Sequence, residues 1–107
     1  MIWEKVKALE EELLRLKSER EKIIEELGSL PNGHIDVKVI NGHKYYYLRY
    51  WEEGRLKSKY LGKDASELIQ KLNRANELKR NLSLIKEREK KLEKILEKIS
   101  KALEEFK

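Results

Sequence analysis

The sequence predicts an α+β fold: an antiparallel two-helix coiled-coil stalk with a three-stranded antiparallel β-sheet head inserted between its two arms. Three observations carry this. Each end of the chain holds a ladder of large side chains stepping by alternating fours and threes, the spacing of a coiled-coil seam. Each ladder is interrupted by one charged rung, and the two rungs have opposite sign. Between the ladders the period drops to two, which is the period of a strand.

The first ladder runs Ile2, Val6, Leu9, Leu13, Leu16, Arg20, Ile23, Leu27 and Leu30. The second runs Leu78, Leu82, Ile85, Glu89, Leu92, Leu96, Ile99, Leu103 and Phe106. Read in opposite directions, the ladders bring Arg20 beside Glu89 as a polar seam pair. Such a pair sets register and orientation more than it stabilises, because desolvation offsets much of the attraction. Trp3, Leu14, Ile24, Leu84 and Ile95 fall off the seam. They are either scattered surface apolars or the makings of a homodimer through the stalk.

The first helix, residues 1–28, ends at Gly28, and Pro31 blocks its continuation. Ile35, Val37 and Val39 then alternate with Asp36 and Lys38 as a half-buried strand. Asn41-Gly42 suits a type I′ hairpin turn. A second strand runs from His43 to Trp51, and a third from Arg55 to Leu61. Between them, Glu52-Glu53-Gly54 reads as a three-residue loop with glycine at the left-handed position. Residues 64–107 read as one long helix opening at Asp64, with Glu67 completing a capping box. Its first turns place Leu68, Leu72 and Ala75 together, suited to lying across the apolar face of the sheet. The rest pairs with the first helix, and the whole chain, 1–107, reads as a single domain.

The turns set the faces. A two-residue turn at Asn41-Gly42 pairs Val37 with Tyr46 and Ile35 with Leu48. A three-residue loop at Glu52–Gly54 pairs Tyr50 with Leu56, Tyr46 with Tyr60 and Arg49 with Lys57. One face then carries Ile35, Val37, Val39, Tyr46, Leu48, Tyr50, Leu56 and Tyr60. The other carries Lys38, Tyr45, Tyr47, Arg49, Trp51, Arg55, Lys57 and Lys59, with Asp36 as the lone acid.

Charge points the same way. The net charge is +5, and 42% of residues are charged, so a large globular core is excluded. Residues 34–63 carry seven basic and three acidic residues, whereas residues 1–27 carry six and eight. A dense cationic surface with rings among the cations suits a polyanion, whose phosphates take the cations while rings pack on sugars or bases. The expected site is therefore Lys38, Tyr45, Tyr47, Arg49, Trp51, Arg55, Lys57 and Lys59, and the expected partner is nucleic acid, DNA ahead of RNA.

Other classes find no support. With no cysteine and two histidines, His34 and His43, there is no metal-ligand set, and no cofactor is implied. No triad, phosphate-cradling glycine loop or paired acid and base suggests an enzyme or a small-molecule substrate. No apolar run nears the roughly 18 residues that span a membrane, and no signal peptide is evident, so a cytoplasmic location is expected. A Lys/Glu-rich helix pair without cysteine is also the composition favoured in thermophiles.

Tyr45-Tyr46-Tyr47-Leu48-Arg49-Tyr50, Gly54 and Lys59-Tyr60-Leu61-Gly62-Lys63 together resemble a strand pair near the N-termini of mobile-element transposases and recombinases. Three strands followed by a helix, over residues 35–76, also resemble the arm-type DNA-binding head of tyrosine recombinases, whose sheet enters the major groove. The resemblance implies contacts from Tyr45, Tyr47, Arg49, Lys57 and Lys59. No catalytic domain accompanies it, so it implies binding alone. The competing expectation is a coiled-coil adaptor or chaperone-like module that docks onto a larger assembly.

Overall fold

The computed structural model describes residues 2–105. Its elements are α1 (Ile2–Gly28), β1 (His34–Ile40), β2 (His43–Glu52), β3 (Arg55–Gly62) and α2 (Ser66–Glu104), an α+β arrangement in the expected order. Packing divides the chain into two compact units. One joins the residues up to Glu26 to those from Lys79 onward; the other is Leu27–Leu78. The first turns of α2 belong to the sheet unit and the remainder to the helix pair.

In the helix pair, the buried positions fall on the two ladders. Val6 and Leu16 on α1, and Glu89 and Leu92 on α2, are buried, while Leu9, Leu13, Ile23, Leu82, Ile85, Leu96 and Ile99 are half-buried. The ladder frays at its ends, where Ile2 and Leu103 are exposed, and Phe106 lies outside the described residues. Arg20 Nε stands 3.0 Å from Glu89 Oε1. The two atoms face each other outside hydrogen-bond geometry, so the contact is an ion pair. Arg88 forks onto Glu12, its Nε donating to Oε1 at 2.9 Å and its Nη2 to Oε2 at 3.3 Å. From Glu12 up α1 to Lys22 and Ile23, the neighbours on α2 run down from Arg88 to Asn81, Leu84 and Ile85. The helices are therefore antiparallel. Trp3, Leu14, Ile24, Leu84 and Ile95 are exposed, as their off-seam positions require.

The sheet has the order β1-β2-β3, antiparallel throughout. The first hairpin follows the sequence: Val37 lies opposite Tyr46 and Ile35 opposite Leu48. Asn41 and Gly42 take φ of 52° and 79°, the left-handed pair that a type I′ turn demands. Just before β1, Gly33 has φ +112°, and a Cβ there would lie 2.3 Å from the carbonyl oxygen of Arg49. Only glycine lets the chain enter the sheet this close to β2.

The second hairpin corrects the sequence expectation. Its turn is two residues, not three: Glu53 and Gly54 take φ of 51° and 76°, and Glu52 pairs with Arg55. Trp51 therefore faces Leu56, Tyr50 faces Lys57, Arg49 faces Ser58 and Tyr47 faces Tyr60. The expected pairs Tyr50–Leu56, Arg49–Lys57 and Tyr46–Tyr60 do not form. Glutamate is a poor occupant of the left-handed region, which is why the composition favoured a longer loop. A bulge at Leu61 then slips the pairing by one more residue and puts Gly62 opposite Tyr46.

On one face, α2 closes a small core. Leu72 and Ala75 are buried, and Ile69, Leu72, Asn73 and Asn76 line a groove with Gly33, Ile35, Val37 and Tyr46. The helix begins where the Ser66 N–H donates to Asp64 Oδ1 at 3.0 Å. That bond holds the Asp64 carboxyl below the usual carboxylate range.

Candidate nucleic-acid interface

Side chains alternate along a strand, so a one-residue slip carries every β3 side chain to the other face. This slip rebuilds the expected site. Lys38, Tyr45, Tyr47, Arg49 and Trp51 remain together on the face away from α2, which we call the outer face. Arg55, Lys57 and Lys59 do not join them. Their register places them on the face of Leu48, Tyr50 and Glu52, and Lys57 Nζ pairs with Glu52 Oε2 at 3.2 Å. In their place the outer face gains Leu56, Ser58 and Tyr60.

The outer face is thus richer in rings and poorer in cations than the sequence suggested. Tyr60 packs against Tyr47 with centroids 5.2 Å apart and planes at 48°, and against Tyr45 at 6.4 Å. Both are tilted arrangements that ring quadrupoles favour. Lys38 Nζ lies 4.8 Å from the Tyr47 centroid, a cation–π contact that keeps its charge at the surface. Ile40 joins Tyr45, Tyr47 and Tyr60 to line a shallow depression. Beside it, Arg49 Nη1 pairs with Asp36 Oδ2 at 3.2 Å, and His34 Nε2 stands 3.8 Å from Asp36 Oδ1.

Every residue from Trp51 to Tyr60 is exposed, so this stretch of the β2–β3 hairpin is a ribbon open on both sides. Rings and short side chains mark one side, and Arg55, Lys57 and Lys59 mark the other. The sequence reasoning missed Tyr60. The signal that finds it is the Glu53-Gly54 dipeptide read as a two-residue turn.

Among the described residues, no group of three or more histidine, cysteine, aspartate or glutamate side chains is placed to hold a metal ion. No helix among them is long and apolar enough to cross a membrane.

Fold and surface together define a small α+β protein that combines an antiparallel helix pair with an open, tyrosine-rich sheet face. It belongs to the DUF6788 family, described as a domain of unknown function, whose match covers residues 7–71, more than half of the chain. That stretch holds most of α1, the whole sheet and the opening of α2. No curated protein matches the chain, and neither does any solved structure.

Proposed function

We propose that the sheet unit is a non-enzymatic nucleic-acid-binding module that takes duplex DNA through its outer face and the β2–β3 ribbon. The observation behind this is the sorting of that ribbon. Tyr47, Arg49, Trp51 and Tyr60 share one side, joined there by Lys38 of β1, while Arg55, Lys57 and Lys59 project from the other. A two-stranded ribbon is narrow enough for a major groove. The ring side faces the groove floor, and the long side chains of β3 curl around the sheet edge to the flanking phosphates. The resemblance to transposase and recombinase heads supports the same reading and a mobile-element origin. A cytoplasmic location goes with such a partner.

Binding is mostly electrostatic on this account. Five cations give a log–log salt slope of about −4 to −5 when all reach phosphate. Titration of a labelled duplex against potassium chloride measures it. Lys59→Ala and Arg55→Ala each reduce the slope by about 1. Tyr60→Ala weakens binding at every salt concentration and leaves the slope unchanged. Absence of duplex binding at low salt sinks the proposal, as does a slope indifferent to the β3 cations.

The adaptor reading draws on the exposed Trp3, Leu14 and Leu84 of the helix pair. It requires binding to a protein partner that is insensitive to salt and lost in Leu14→Glu.

A further inference from the structure

The two edges of the sheet are not alike. Along β3 the ladder positions carry Arg55, Lys57 and Lys59, the charged side chains that keep an edge from pairing with another strand. Along β1 the charged side chains are one of each sign, Asp36 and Lys38, and the alternate positions Ile35, Val37 and Val39 are all apolar. Val37, Val39 and Ile40 are 49%, 64% and 52% exposed, and the strand has seven residues with no proline or bulge. An open β-branched edge of this length is a template for a further strand. We propose that β1 pairs antiparallel with β1 of a second copy of this chain, producing a dimer with one continuous six-stranded sheet.

The hydrogen-bond phase selects the register. A two-residue turn makes its flanking residues, Ile40 and His43, a hydrogen-bonded pair. Counting back along the ladder, Lys38, Asp36 and His34 also spend their backbone groups on β2. Ile35, Val37 and Val39 then turn their N–H and C=O groups outward, to the open edge. A two-fold axis through Val37 matches these groups, pairing Val37 with Val37 of the partner subunit, and Ile35 with Val39 of the partner subunit.

The intervening residues occupy the non-hydrogen-bonded positions, where side chains approach most closely. In this register Asp36 faces Lys38 of the partner subunit, and Lys38 faces Asp36 of the partner subunit. The neighbouring registers that also satisfy the backbone are worse. Centring on Asp36 sets aspartate against aspartate, and centring on Lys38 sets lysine against lysine, both destabilising. Charge and backbone phase therefore agree on one arrangement. The groove between Ile35, Val37, Ile69 and Asn73 lies on the apolar face of the same strand, ready to receive the partner's Val39. The two-fold axis is perpendicular to the sheet, so both outer faces end on the same side, and the candidate interface doubles.

Sedimentation equilibrium of the full chain over a concentration series tests this without any nucleic acid. The expected result is a monomer–dimer equilibrium that Val37→Lys abolishes, with the circular dichroism spectrum of the wild type retained. Asp36→Lys and Lys38→Asp each weaken the dimer by about tenfold, because each sets like charges across both symmetric pairs. The double variant D36K/K38D restores the dissociation constant to near the wild-type value. A wild type that stays monomeric throughout overturns the inference. So does a dimer that survives V37K, or a charge swap that fails to rescue the single variants. None of these outcomes touches the DNA-binding proposal, which a monomer satisfies equally.

Discussion

Among the described residues, Glu89 is the one charged residue buried in the helix pair, its side chain only 7% exposed, while its partner Arg20 keeps 34% of its side chain in solvent. The asymmetry matters for energetics. Arginine lays its stem along the seam and leaves part of its head in water, so its own desolvation is partial. Glutamate has no such escape. Removing Arg20 strands a buried carboxylate, and we expect Arg20→Met to cost about 3 kcal/mol, the low end for breaking a buried pair because the arginine is partly exposed. The double variant R20M/E89L then melts at or above the wild-type temperature, since two apolar residues continue the ladder without desolvating any charge. Thermal denaturation of the three proteins measures this. A single variant as stable as the wild type refutes the claim that the pair is structural.

At the scale of the element, the β2–β3 hairpin is the informative case. Its turn forces Glu53 to φ 51°, a conformation that costs a non-glycine residue roughly 1 kcal/mol, although asparagine bears it well. Glu53→Asn therefore raises the stability of the sheet unit by up to about 1 kcal/mol without altering the register. Urea denaturation reads the gain, and a loss of stability shows the turn to be something other than type I′. Two hairpins in one sheet thus reached the same turn geometry through different residues. Asn41-Gly42 announces the turn in the sequence, and Glu53-Gly54 hides it.

For the whole molecule, pH dependence follows from carboxylates in both units. The hydrogen bond from Arg88 holds the Glu12 carboxyl below its ordinary range, and that from the Ser66 N–H does the same for Asp64. Both groups bind protons more weakly folded than unfolded. They contribute stability at every pH above the ordinary carboxylate range, and this is lost as pH falls below about 4, through the folded values. Stability measured at stepped pH should fall less steeply on acidification in Glu12→Gln than in the wild type. Because the Glu12–Arg88 pair lies at the surface, high salt should reduce its share of the effect in the same way. Superimposable acid limbs for variant and wild type would remove the pair from this account.

Much of the architecture was written in local periodicity. A three-four ladder reports which helix face is buried, so α1, α2, their antiparallel sense and the Arg20–Glu89 contact were all legible from spacing and sign alone. The first hairpin was equally legible, because Asn-Gly permits one turn and period-two alternation then assigns each side chain to a face. Tertiary structure decided the placement of β3. A single residue in the turn determines which side of the sheet receives Arg55, Lys57 and Lys59 and which receives Leu56 and Tyr60. The segment alternates convincingly in either phase, because Arg55, Lys57 and Lys59 alternate with Leu56, Ser58 and Tyr60 whichever face each set takes. Only the pairing of backbone groups across the sheet, with the bulge at Leu61, chooses between the two. Sequence thus determined the frame of this protein, and long-range hydrogen bonding determined the chemistry of its open face.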